Sequence, residues 1–154
     1  QLGKSLLILR LKEGELPKPR RIDLWWSGRE DNGDLMLLLA YLLTLGKGWR
    51  HAQIHLNTIV KSAEEAKKRK ATLTQISQET RIEAHPKVIV HEPGASVPSI
   101  IQKHSQDAAL VMLGLGIPEA SEAESYAKSL EALVDKLPSV VLVRNSGTFR
   151  GELL

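Results

Sequence analysis

The sequence predicts an α/β fold: a doubly wound, mostly parallel five-stranded sheet with helices on both faces. Two observations carry that prediction. Five short aliphatic runs alternate with longer helix-like stretches. The runs are nearly continuous in apolar residues, as strands buried on both faces of a parallel sheet must be. Composition agrees. The chain has 154 residues, 42% hydrophobic and 25% charged, which are globular values. Aromatics are only 4%, and the 25 leucines make the core aliphatic.

The strand candidates, in order, are Ile22–Trp26, Gln53–Val60, Lys87–His91, Ala108–Leu113 and Ser139–Arg144. Leu35–Leu45 reads as the first helix, with Asp34 as its cap and Gly46 and Gly48 at its end. Lys61–Thr80 reads as the second, with Glu64–Lys68 and Glu65–Arg69 pairs in the favourable i,i+4 order. Val97–Ser105 is a short third helix behind Ser96, with Pro98 tolerated in the first turn. Glu119–Leu137 carries apolar residues at helical spacing, and Pro138 stops it. Strand–helix alternation implies right-handed crossovers. Ligands in such folds sit at the carboxyl ends of the strands. Here those ends are Ser27–Gly33, Val60–Ser62, Glu92–Ser96 and Gly114–Pro118.

One segment stands outside this scheme. Ser5–Arg10 and Ser139–Arg144 both read Ser, four aliphatics, Arg. Two accounts fit. Residues 1–21 are the end strand of a preceding half-domain plus a linker (Lys12–Arg21), with 22–154 an α/β half-domain. Alternatively, the segment is an extra strand in the same sheet.

Several chemistries are excluded. Without cysteine there is no disulfide frame, thiolate metal site or thiol nucleophile. His51 and His55 have i,i+4 spacing, but Ala52 stands where a zinc-protease helix needs Glu, and the pair falls on a strand start. No metal or other cofactor is expected. Ser96 lacks the flanking glycine of a nucleophile elbow, because Pro98 is there, so it reads as a helix cap. No nucleophile–base set appears, so the chain does not read as an enzyme. A formal charge of +3 is too small to argue for nucleic acid. Lys67–Lys70 reads as a solvated helix face. The longest apolar stretch, Leu35–Leu45, is about half the roughly 20 residues a membrane span needs. No signal peptide is visible, and Gln1 fits a fragment or processed product.

Gly114 and Gly116 form the one loop suited to a phosphate, after a strand and before a helix. Glu119 replaces the third glycine of a dinucleotide loop and would repel phosphate. The strand–helix arrangement resembles the universal stress proteins, whose ATP loop lies here. Ile117 and Ala127 replace two of its glycines. A nucleotide-binding universal-stress-like sensor is thus the alternative function.

Ile22-Asp23-Leu24-Trp25-Trp26 is the distinctive motif. Adjacent tryptophans on a strand point to opposite faces, so both are covered only on a central strand with helices on each side. An acidic, glycine-containing loop (Ser27–Gly33) follows, then the apolar helix with Tyr41, then Trp49. Near the end stands Leu137-Pro138-Ser139-Val140-Val141-Leu142-Val143-Arg144-Asn145. Taken together, Ile22 to Asn145 resembles the cytoplasmic carboxy-terminal domain of the cation-chloride cotransporters, in a compact prokaryotic form. Ile22, Asp23, Leu24, Trp25, Trp26, Tyr41 and Arg144 carry that signature. The resemblance implies a regulatory and dimerisation module on the cytoplasmic side of the cell membrane. Its partners would be the parent's membrane domain and a second protomer. Potassium, sodium or chloride ions would be handled only by the membrane part, which this chain lacks. The Leu35–Leu45 helix has more apolar residues than one face needs, so a neighbouring half-domain or protomer is expected to cover it.

Overall fold

The computed structural model describes residues 3–27 and 32–147. Six strands form one sheet. In chain order they are β1 (Leu6–Arg10), β2 (Arg21–Trp25), β3 (Gln53–Val60), β4 (His85–Val90), β5 (Leu110–Gly114) and β6 (Val140–Arg144). Their spatial order is β1-β6-β5-β2-β3-β4. β2 to β6 pair in parallel, and β1 runs antiparallel beside β6. The sheet therefore has one strand more than the five expected. Leu6–Arg10 adds to the free edge of β6, which parallel winding leaves unpaired.

Four helices cover the sheet: α1 (Asn32–Leu45), α2 (Ala63–Thr80), α3 (Val97–Ser105) and α4 (Ala123–Asp135). Strand alternation sorts the core into two layers. Ile22, Leu24, Leu56, Met112 and Val143 meet α1 and α2. Trp25, Val111, Leu113 and Leu142 meet α3 and α4. Trp25 and Trp26 do face opposite ways: Trp25 joins the α3/α4 layer, and Trp26 packs on the α1/α2 layer. β2 lies between β5 and β3, at the centre of the parallel run, as the paired tryptophans require.

Caps set the helix starts. Ser62 Oγ accepts the Glu65 N–H (3.2 Å), and the Glu65 carboxylate accepts the N–H of Lys61, one residue before the cap (3.0 Å), a near relative of the capping box. That use of Glu65 replaces the expected ion pair to Arg69, whereas Glu64–Lys68 forms at 3.3 Å. Ser96 caps α3 by accepting the Ser99 N–H at 3.2 Å. α1 begins earlier than Asp34 suggests, because Asn32 and Gly33 are already helical and buried. Gly33 is needed there. A β-carbon on it would overlap the Trp26 indole. Gly33→Ala should lower stability by about 1–3 kcal/mol, despite the helix preference of alanine. Tryptophan fluorescence shifted to the red, as Trp26 is pushed into water, would accompany the loss. An unchanged spectrum and melt would show that the two do not meet.

Candidate functional site

Three features concentrate the polar groups of the motif and the strand ends. The first is built on Asp23, almost fully buried in the middle of β2. Arg21 stands two residues before it on the same face of the strand. Its guanidinium donates to both Asp23 oxygens, at 2.7 and 3.0 Å, and to the His104 carbonyl at 3.0 Å. Ser105 Oγ donates to Asp23 at 2.7 Å and accepts the Trp25 Nε1–H at 2.9 Å. The set ties β2 to the last turn of α3 with every bond internal. It reads as a structural lock: three internal donors already meet the Asp23 carboxylate, which is almost fully buried.

Beside it, His55 Nδ1 lies 4.0 Å from Asp23, and the His55 and His85 rings meet edge to face at 5.6 Å. Burial holds the His55 imidazole below its ordinary 6.5, and Arg21, His85 and Lys87 push the same way against the attraction of Asp23. His104 is also held low, by burial first and then by Lys87 and Lys103. Folding thus favours the neutral rings, and the unfolded chain binds more protons just below pH 6.5. Stability should fall as pH drops through that value toward the lowered ones. Melting between about pH 7.5 and about pH 5.5 checks this, and His55→Gln should flatten the profile. A melt indifferent to pH in wild type would defeat the argument.

The second feature is a cleft of about 830 Å³ at the carboxyl ends of the strands. Trp25, Trp26, Lys61, His91 and Gly114 line it together with residues of α3 and α4. It opens where the winding reverses between β2 and β5, the usual ligand position of this architecture. The adjoining loop is committed elsewhere. Gly116 N–H donates to the Tyr126 hydroxyl (3.0 Å), and Leu115 N–H to the Val143 carbonyl (2.8 Å). Gly114 packs against Asn32, whose amide would sit 3.0 Å from an added β-carbon. Arg144 Nη1 donates to the Leu115 carbonyl at 3.3 Å. Asn32 escaped the sequence reading. Its buried side chain donates to the Leu115 carbonyl (3.3 Å) and accepts the Asn145 N–H (2.7 Å), joining α1 to the ends of β5 and β6. Of the loop at Ser27–Gly33, residues 28–31 lie outside the described residues. Tyr41 lies on the outer side of α1, where it is exposed.

The third feature is the β1–β6 ladder. Ile8 pairs with Leu142, its counterpart in the Ser-aliphatic-Arg pattern. Leu7↔Val143 and Leu9↔Val141 are counterparts of each other. Ser146 N–H donates to Ser5 Oγ (3.1 Å), and Lys12 N–H donates to Ser139 Oγ (3.0 Å). These two bonds are related by the same offset that separates Ser5 from Ser139. The ladder thus has a local two-fold axis through Ile8 and Leu142. Yet β1 carries no layer of its own: Leu6, Leu7, Ile8 and Leu9 are all exposed, Leu9 by 59%.

Among the described residues there is no group of histidines and carboxylates that could hold a metal, and no helix long and apolar enough to cross a membrane. The fold and the three features define a doubly wound α/β module with an unfinished edge. A family profile, solute carrier family 12, matches residues 15–96. The chain belongs to that family. Its fold is similar to a crystal structure of the cytoplasmic domain of a prokaryotic cation chloride cotransporter, with a TM-score of 0.70 and 24% identity. The match covers 99% of this chain and 57% of that one, so the chain spans little more than half the length of its solved relative. No curated protein sequence matches the chain.

Proposed function

We propose that the chain is the second of two α/β units in the cytosolic tail of a cation-chloride cotransporter. In that reading it is a non-catalytic module that supports dimerisation and couples the state of the cytosol to ion movement in the membrane part. The local two-fold of the β1–β6 ladder carries the reading. β1 pairs with β6 as the last strand of a second such unit would, and in this reading its exposed aliphatics belong to that unit's core. Family membership and the partial span of the solved relative support it. Aliphatic edges of this kind drive association unless they are covered.

The test uses the full-length transporter in vesicles, with chloride-dependent cation uptake as the readout. Leu7→Lys with Leu9→Lys should separate the two units and change uptake at equal protein abundance. Uptake indifferent to that pair, and to removal of residues 22–147, would end the regulatory reading. Light scattering on the two-unit tail should give twice the single-chain mass; a monomer at high micromolar concentration would remove the dimer.

A further inference from the structure

The outer side of α1 is apolar where a surface helix is usually polar. Leu38, Tyr41, Leu42 and Leu45 stand at i, i+3, i+4 and i+7, one stripe of the helix. The opposite side, with Leu37 and Ala40, is in the core. Leu42 is 51% and Leu45 57% exposed. The stripe runs into the tight turns between Gly46 and Ala52, where the Gly46, Trp49 and Ala52 amides each bond back three residues. Lys47 and Arg50 project from these turns into solvent. Arg20 reaches over from the segment before β2, donates to the Gly48 carbonyl and lies 5.2 Å from the Trp49 ring. Lys18 is exposed in the same segment. No acidic residue occurs between Asp34 and Glu64.

We propose that the carboxyl-terminal half of α1 and the turns after it form a docking surface for an anionic phospholipid membrane. Exposed leucines and a tyrosine beside unopposed Lys and Arg are the chemistry of an interfacial contact: apolar groups enter the headgroup boundary while the cations meet phosphate. A second copy with its helix parallel to this one gains no such match: a two-fold along the helices sets Lys47 and Arg50 beside their own counterparts, with no carboxylate on the stripe or its turns to pair with them. That a bilayer lies within reach rests on the transporter-tail reading; the chemistry of the face does not.

The experiment is co-sedimentation of the chain with phosphatidylcholine vesicles, with and without phosphatidylserine. Binding is expected only with phosphatidylserine, with a blue shift of tryptophan emission as Trp49 leaves water, and it should weaken with added salt. Lys47→Gln with Arg50→Gln should weaken binding roughly twenty-five-fold, at about fivefold per cation. Leu42→Ser with Leu45→Ser should weaken it as well, and both pairs should melt as wild type does, since all four side chains are exposed. Leu7→Lys with Leu9→Lys should leave binding intact, which separates this face from the β1 edge. Absence of binding overturns the proposal, as does binding that ignores the first two variants or is lost only in the third. Dissociation of a self-associated chain by Leu42→Ser with Leu45→Ser, without vesicle binding, assigns the face to a second copy and overturns it too. None of these failures touches the transporter-tail reading, which stands or falls on uptake.

Discussion

Trp25→Ala should cost about 3–5 kcal/mol, a large share of the ~5–15 kcal/mol typical of a domain. Trp25 is 6% exposed and packs with Ile101, Val111 and Leu113 under α3. Its indole also holds the Ser105 hydroxyl in place for Asp23. Two losses therefore combine: a cavity in an otherwise aliphatic layer, and an unmade bond at a buried hydroxyl. Trp25→Phe separates them. It keeps most of the ring volume and forfeits the Nε1–H bond, so about 1 kcal/mol should go. Chemical denaturation of the three forms gives the comparison. A Trp25→Ala protein as stable as wild type would contradict the central position of β2. Trp26→Ala should cost less, because Trp26 is only partly buried and closes the end of the α1 layer.

Much of this architecture was legible because its causes are local. β3 matches the expected Gln53–Val60 at both ends. The Lys61–Ser62 cap stops it on one side, and the turns after Gly46 precede it on the other. The two tryptophans declared a strand covered on both faces through period two alone. Arg21 and Asp23, opposite charges two apart on one face of a strand, are the local signal of the lock. Other features depend on partners far along the chain. β1 is placed by β6, and nothing within Leu6–Arg10 distinguishes a strand of this sheet from one lent by another unit. Asn32, ahead of Gly33 and Asp34, looks like a turn residue. Its partners at Leu115 and Asn145 come near only once the sheet has formed. The start of α4 differed for a local reason. Neither Glu119 nor Glu122 makes a side-chain cap, so the chain enters through a short 3-10 turn, Ala120–Glu122, before α4 begins at Ala123.

The motif's polar member works differently from its aromatic ones, and Asp23→Ala should show it. The carboxylate accepts from Arg21 and from Ser105, a side chain with no exposure. Removing it strands the Ser105 hydroxyl and leaves the Arg21 charge without its counter-ion. Arg21 keeps the His104 carbonyl and is partly open to water, so its loss is softened. The expected cost is about 2–3 kcal/mol, below that for a wholly buried ion pair. Asp23→Asn should recover part of it, since the amide oxygen still accepts from one donor. If the lock is structural alone, Asp23→Asn in the full-length transporter should leave uptake per folded molecule unchanged while lowering the melting temperature. Wild-type stability with altered uptake would instead assign Asp23 a part in signalling. The pH profile adds an independent check. Without the Asp23 charge the only attraction favouring protonated His55 among its near neighbours disappears, while Arg21, His85 and Lys87 still oppose it. The His55 pKa should then fall further, and the acid loss of stability should begin no lower in pH but extend to lower values.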